Sequence, residues 1–512
     1  MLPYLQEVQN PSKKYSVVFK GINYGEGTQD GEFAETYNLS TDNYPCITQR
    51  AARVSVKEYK KPTTLHAKGK LLVIDERFND EGKPTGVCDV YYGDTIVGEV
   101  TSGKKQTATI GNYIVIFPDK KYYKVPTADD QDGEFGSMEE VYKASGVKFT
   151  ASTISKEGAN FPFREGDAVT ITGCSNNGNN KTAEIIIRNV TADELSFDDN
   201  AFTAVENEEN EVTISRTVPD LDFICESNYR LWGTHGNTIY SSKFSDPFNF
   251  QVFDGLASDS YAIEVGSEGD FTGCIPYSSH ICFFKENTLH KLYGTKPSNF
   301  QITTANVYGV QSGSEGSMQI VNEQLLYKGV GGVYAYTGGV PELISEKFGN
   351  KRYSDAVACC DGEKYYISMR QGDIWNMFTY DVAKNIWLRE DDTHAVDMTF
   401  FDGKIYLTFD LGYSNENVTK ILDALERHGI PAAFFILDNI ILKNTDLVTR
   451  MSEEGHLVCN HTKNHKNLWR DNNDTSKVRS LSLIMSEECQ FRCKYCIHFA
   501  NSKHYYNPEK MM

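Results

Sequence analysis

Three cysteines near the end of the sequence, Cys489, Cys493 and Cys496, are separated by three and then two residues. Thiolates at that spacing on one short loop can hold three irons of a [4Fe–4S] cluster and leave the fourth iron open. The same sulfurs with His498 can instead complete a four-ligand zinc site. Further upstream, His461 and His465 stand four apart in the stretch HTKNH. On one helical face, or across a tight loop, two imidazoles so placed can bind a single divalent ion such as zinc.

Both groups sit at the ends of elements that would position them. The apolar strand-like run LSLIM, residues 481–485, leads directly into the cysteine loop. The histidines lie in a stretch that reads as α/β: a strand (residues 404–410, KIYLTFD), a loop, an amphipathic helix over 418–428, and a second apolar strand, AAFFIL. Strand, helix and strand in that order are the beginning of a βαβ unit.

Residues 404–470 resemble the polysaccharide deacetylase family, especially its peptidoglycan branch. The family's first motif, Thr-Phe-Asp-Asp-Gly, corresponds to Thr408, Phe409, Asp410, Leu411 and Gly412, and its metal-binding His pattern to His461–His465. The resemblance implies a divalent metal, zinc, held by His461 and His465, with Asp410 as the catalytic base. A metal in such a site polarises an amide carbonyl and activates water while the carboxylate takes the proton. The substrates implied are N-acetyl or lactam amides of cell-wall glycan. Leu411 stands where the family has a metal-binding Asp, and an isobutyl group cannot ligate. The family's later motifs do not follow, so negligible amide hydrolysis is expected. Residues 478–512 resemble the radical SAM family at its cluster loop, with Tyr495 before the third cysteine. That implies a [4Fe–4S] cluster on Cys489, Cys493 and Cys496 with S-adenosylmethionine at the open iron. The barrel that follows the loop in that family is not present, and weak cofactor binding is expected.

Residues 1–405 have another texture. A turn residue followed by a run of β-formers recurs at residues 69, 111, 228, 280, 323, 362 and 403, with steps of 42, 117, 52, 43, 39 and 41. Between about 149 and 216 the text changes to short alternating strands, which predicts a small inserted β-sandwich or barrel. Removing it brings the long step back to about 45 residues. A period of about 40–50 with several strands per unit is that of propeller blades. The expected fold is therefore mainly β. It comprises an N-terminal arm (1–60), blades of an about seven-bladed propeller (61–148 and 217–405) interrupted by the insert, and short α/β fragments (404–470 and 478–512).

The stretches SNYRLWG at 227–233, KENTLHKLYG at 285–294 and GVGGVYAYTGGVPELIS at 329–345 are similar to tailed-phage propeller proteins. The similarity spans about 1–405 and implies a non-catalytic structural component of the virion, in the tail or in head completion and DNA stabilisation. No cofactor is needed for it. The partners implied are other virion proteins, with phage DNA or cell-wall glycan as further candidates. The localisation implied is the virion, made in the bacterial host cytoplasm.

Bulk properties bound these readings. A net charge of −19 argues against a general phosphate-backbone binder. The first residues lack a signal-peptide core and no 18-residue apolar run occurs, so no membrane partner is expected. The twelve cysteines are expected to be reduced and mostly buried. Aromatic residues 365, 366, 375, 378, 380 and 387 are expected to fill wedges between blades, and the acidic run 390–392 to be an exposed turn. Gly25, Gly27 and Gly31 do not make a phosphate loop, because no Lys-Ser/Thr pair follows. Three partial resemblances suggest a composite chain, in which 401–409 reads both as a blade strand and as a first deacetylase strand.

Overall fold

The computed structural model describes residues 18–51, 53, 57, 59–128, 130–408, 433–436, 450 and 457–460. The chain divides into two compact units, one comprising residues 1–50 and 55–410 and the other residues 51–54 and 411–512.

The first unit is mainly β. Six antiparallel four-stranded meanders follow one another, each with its strands paired in chain order. We number them sheet I (Pro62–Lys68 to Thr95–Thr101), II (Gln106–Ile110 to Glu134–Ser137), III (Phe223–Ser227 to Tyr261–Glu264), IV (Phe271–Tyr277 to Gln301–Asn306), V (Gln319–Val321 to Glu342–Leu343) and VI (Ser354–Cys360 to Ile386–Asp391). The hairpin Asp397–Phe401/Lys404–Thr408 is sheet VII.

Each of the seven sequence repeats becomes the second strand of one sheet. A tight turn comes before it, and a residue at positive φ sits in the turn: Gly69, Gly111, Asn228, Ser278, Asn322, Gly362 and Asp402. These are the residue types that tolerate the left-handed region or, in Gly, meet no Cβ clash there. In sheet VII the two-residue Asp402-Gly403 turn has φ of 48° and 70°, as a type I′ hairpin requires.

The apolar runs in these second strands are continuous because both strand faces are buried. Successive side chains point to opposite faces. In the second strand of sheet II, Ile114 and Ile116 join a core shared with sheet I, while Val115 and Phe117 join one shared with sheet III. In the second strand of sheet IV, Ile281 and Phe283 pack toward sheet III, and Cys282 and Phe284 toward sheet V. No sheet owns a core of its own. The first strand of sheet VII touches that of sheet VI on one side and that of sheet I on the other. There the Leu65 backbone N–H donates to Asp397 Oδ2 at 2.7 Å.

Residues 140–216 interrupt this series with a four-stranded and a five-stranded sheet around a separate core that includes Phe149, Ile154, Val169, Ile171, Leu195 and Ile214. Strand Glu140–Ala144, upstream of the change of texture at 149, pairs with Val212–Arg216 in this part.

The N-terminal arm lies along the last strand of sheet VI. Gly21 approaches it so closely that a Cβ would lie 2.3 Å from the Trp387 carbonyl oxygen. The Asn38 N–H donates to the Glu390 carbonyl at 3.0 Å, and Lys364 pairs with Asp42. An outer strand covered in this way presents no free row of donors and acceptors to another chain.

In the second unit, Ala433–Ile436 and Leu457–Asn460 pair in parallel, with Ala433 opposite Leu457 and Ile436 opposite Asn460. A parallel pair needs a crossover connection. It is not the pair expected from the sequence: the expected first strand, Lys404–Thr408, pairs antiparallel with Asp397–Phe401, and the expected helix over 418–428 lies outside the described residues.

Candidate functional site

The residues singled out for chemistry in the sequence, Asp410, His461, His465, Cys489, Cys493 and Cys496, lie outside the described residues, as does Leu411. What the structure describes is the backbone that leads to two of them. Strand Leu457–Asn460 ends on the residue immediately before His461, and strand Lys404–Thr408 ends two residues before Asp410. Ligands of open parallel sheets gather outside the carboxyl ends of the strands, and the histidine pair begins at such an end. By its chemistry the donor set suits a borderline ion: two imidazoles fit zinc, Asp410 is left as the base, and Leu411 contributes nothing.

Among the described residues no group of three or more His, Cys, Asp or Glu side chains is placed to hold a metal. Two histidines of the first unit are built into packing. His66 lies between two hydroxyls of sheet II, with Nδ1 at 3.0 Å from Thr107 Oγ1 and Nε2 at 2.7 Å from Thr109 Oγ1. His290 is held likewise by Ser267 and Thr304 at 2.8 and 2.9 Å. Hydroxyls serve as donor or acceptor, so either neutral tautomer is satisfied. Burial pushes both histidines down to about 4.

The acidic run 390–392 is not the exposed turn expected from the sequence. Glu390 is buried and accepts from Thr379 Oγ1, Asp391 pairs with Arg50 at 2.9 Å, and Asp392 pairs with Arg389. The arm brings Arg50 there from 341 positions away in the chain, a partner that no local pattern signals. The aromatics of sheet VI do pack as expected: Tyr365, Phe378, Tyr380 and Trp387 are buried in the core that spans sheets V to VII. Tyr366 and Trp375 are half-buried. The eight cysteines of the first unit are free, and six of them are buried.

Two buried polar groups leave no trace in the sequence. Arg216 Nη1 donates to Asp167 Oδ2 at 2.6 Å, and Asn249 Nδ2 donates to Asp167 Oδ1 at 2.8 Å, tying the insert to sheet III. The second is a cationic cavity beside sheet V, lined by Lys328, Lys351 and Arg352. Lone Lys, Arg and Asp residues scattered through β-text carry no signal of such meetings.

By fold the first unit belongs to the mainly-β class, and its described residues carry no catalytic cluster of metal-ligand type. Comparison with known proteins then speaks to the other end of the chain. Residues 398–481 match the family model described as polysaccharide deacetylase. A chitooligosaccharide deacetylase of Rhizobium leguminosarum bv. trifolii is 48% identical over 67 residues, which are 13% of this chain and 31% of that protein. The peptidoglycan-N-acetylmuramic acid deacetylase of Bacillus subtilis is 42% identical over 64 residues, 12% of this chain and 24% of that protein. The peptidoglycan-N-acetylglucosamine deacetylase of Bacillus cereus is 33% identical over 128 residues, 25% of this chain and 42% of that protein. The chain thus spans less than half the length of each of these relatives. Among solved structures, Kluyveromyces lactis Hsv2 aligns over 64% of this chain at 8% identity with a TM-score of 0.28, a likeness too weak to bear on the fold. The C-terminal region therefore carries polysaccharide deacetylase sequence, and the match begins at Met398, inside the first strand of sheet VII.

Proposed function

We propose that the C-terminal region is the metal-binding part of a deacetylase acting on N-acetyl groups of cell-wall glycan, carried on a non-catalytic β-propeller. The observation that carries the first half is the family match over 398–481, together with a parallel strand that ends directly before His461. In this reading His461 and His465 hold a zinc ion and Asp410 is the base. When bound, the ion supplies Lewis-acid polarisation of the amide carbonyl. Leu411 removes one acidic ligand and weakens the site.

The second half rests on the seven units whose cores form only between neighbours, with sheet VII in contact with sheets VI and I. Such a body suits docking rather than chemistry. Together with the similarity of 1–405 to tailed-phage proteins, it supports a structural part of a virion that touches other particle proteins and the glycan of the cell wall.

The test uses the full chain with zinc or cobalt and acetylated chitooligosaccharide or peptidoglycan. Bound metal is measured by elemental analysis and released acetate by an enzymatic assay. The reading expects zinc uptake that falls in His461→Ala and His465→Ala and tightens about tenfold in Leu411→Asp, roughly the gain of one charge-assisted contact. Turnover is expected to be slow, and any acetate released is expected to vanish in Asp410→Asn. Zinc uptake equal in the wild type and both His variants refutes the site.

A further inference from the structure

A cavity of about 220 Å³ lies between sheet V and the chain that leads from it to sheet VI. The turn Val330–Gly332 forms one wall, and the segment from Ser345 to Tyr353 forms the other. Three cationic residues line it, Lys328, Lys351 and Arg352, against a single acid, Glu346. That gathering runs against the composition of a chain with a net charge of −19.

Lys328 is the central observation. It ends the apolar run of the second strand of sheet V and is 1% exposed. Its ammonium donates to Gln311 Oε1 at 2.7 Å and to the Gly329 carbonyl, both neutral acceptors. Elsewhere this fold neutralises its buried lysines: Lys105 pairs with Asp119 at 2.6 Å, and Lys364 with Asp42. Lys285 is as buried as Lys328 and also donates to neutral acceptors, yet it has Asp270 nearby. Around Lys328 the charged neighbour is another cation, Arg352. Burial first, and then that guanidinium, push its ammonium down to about 8.

Arg352 is equally short of acids. It makes only long bonds to the Gly349 and Lys351 carbonyls, at 3.3 and 3.4 Å. Lys351, at the rim, lies over the Tyr24 ring and has Glu35 nearby without pairing with it. Among the described residues none of the three forms a carboxylate ion pair. A charge withdrawn from water without a counter-charge is costly, and an anion in the cavity removes that cost through charge-assisted hydrogen bonds.

We propose that this cavity binds one small oxyanion of the phosphate or sulfate type, held by Lys328 and Arg352 with Lys351 at its rim. Guanidinium offers two parallel donors to such an ion and ammonium a point charge, which together fit a tetrahedral oxyanion. The site is independent of the C-terminal region and of the deacetylase reading.

Calorimetric titration of inorganic phosphate, and separately of sulfate, into the full chain tests it, with ionic strength held constant by chloride. Saturable binding at one site per chain is expected. Arg352→Gln, an exposed position, should weaken it about tenfold, Glu346→Gln should tighten it, and Lys328→Met should abolish it. Thermal melts establish that each variant is folded. Should Lys328→Met fail to fold, the opposite responses of Arg352→Gln and Glu346→Gln decide the matter. Heat that never saturates, or one affinity shared by wild type, Arg352→Gln and Glu346→Gln, overturns the proposal.

Discussion

His66 and His290 show how a residue type that suggests chemistry is absorbed by packing. Each is hydrogen-bonded at both ring nitrogens to hydroxyls, and each has its folded value at about 4 against an ordinary 6.5. Their folded forms stay neutral where the unfolded chain takes up protons. Stability from this source is therefore complete above pH 6.5 and is lost as the pH falls from there toward 4. Each histidine should contribute on the order of 1–2 kcal/mol to that loss, discounted from the full shift because His66 is only half-buried. Urea unfolding at several pH values between 7 and 4.5 measures it, and His66→Gln should flatten the slope. An unchanged slope refutes the assignment. The residues proposed to hold zinc are a contrasting case. Their types and spacing were legible at once, whereas the pairing of Asp391 with Arg50 was not, because a hydrogen bond across 341 positions leaves no periodic trace.

At the scale of elements, the seven second strands were the most legible feature of the chain. A residue able to take positive φ, followed by four or more β-formers, is a local signal, and burial on both faces makes it continuous. The strands Gly21–Ile22 and Glu32–Phe33 were not legible as a parallel pair, since two-residue strands carry no pattern and owe their place to what the arm packs against. Sheet VII is where two readings meet. Its strand Lys404–Thr408 pairs antiparallel with Asp397–Phe401, and both lie wholly or partly within the span matching the deacetylase family. What fixes that hairpin beside sheet I is the Asp397 carboxylate, which accepts from the Leu65 N–H at 2.7 Å and from its neighbour's N–H at 3.0 Å. Burial holds this carboxyl above its usual range. Asp397→Ala strands the Leu65 donor and should cost about 1–3 kcal/mol in urea unfolding. Asp397→Asn keeps an acceptor oxygen and should cost less. Equal losses in the two variants would show that the contact is incidental.

For the first unit as a whole, the decisive feature is that its cores are of two kinds. Sheets I to VII bury side chains against one another, with Ile22 of the arm joining the core of sheets V to VII, whereas residues 140–216 enclose a core of their own. The insert enters and leaves the series through one paired position, Glu140 opposite Arg216. Directly opposed residues of an antiparallel pair have Cα atoms only about 4.5–5.5 Å apart, so a two-residue Asn-Gly turn can join them. A variant in which that turn replaces residues 141–215 should therefore fold. The cost falls on the polar junction. The excision removes Asp167 and Ala168, which leaves Arg216 without its 2.6 Å partner and Asn249 Oδ1 without the N–H that it accepts at 3.0 Å. A single buried unpaired charge costs about 3–5 kcal/mol, but excision also opens Arg216 to water, so a loss of about 1–3 kcal/mol is expected. Arg216→Ser in the shortened chain should recover part of it. The measurements are the far-ultraviolet circular dichroism of a β protein and one cooperative melt at a lowered midpoint. A broad, non-cooperative transition in both shortened variants would mean that the core around Phe149 and Ile214 supports the sheets on either side of it, and that the two kinds of core are energetically one.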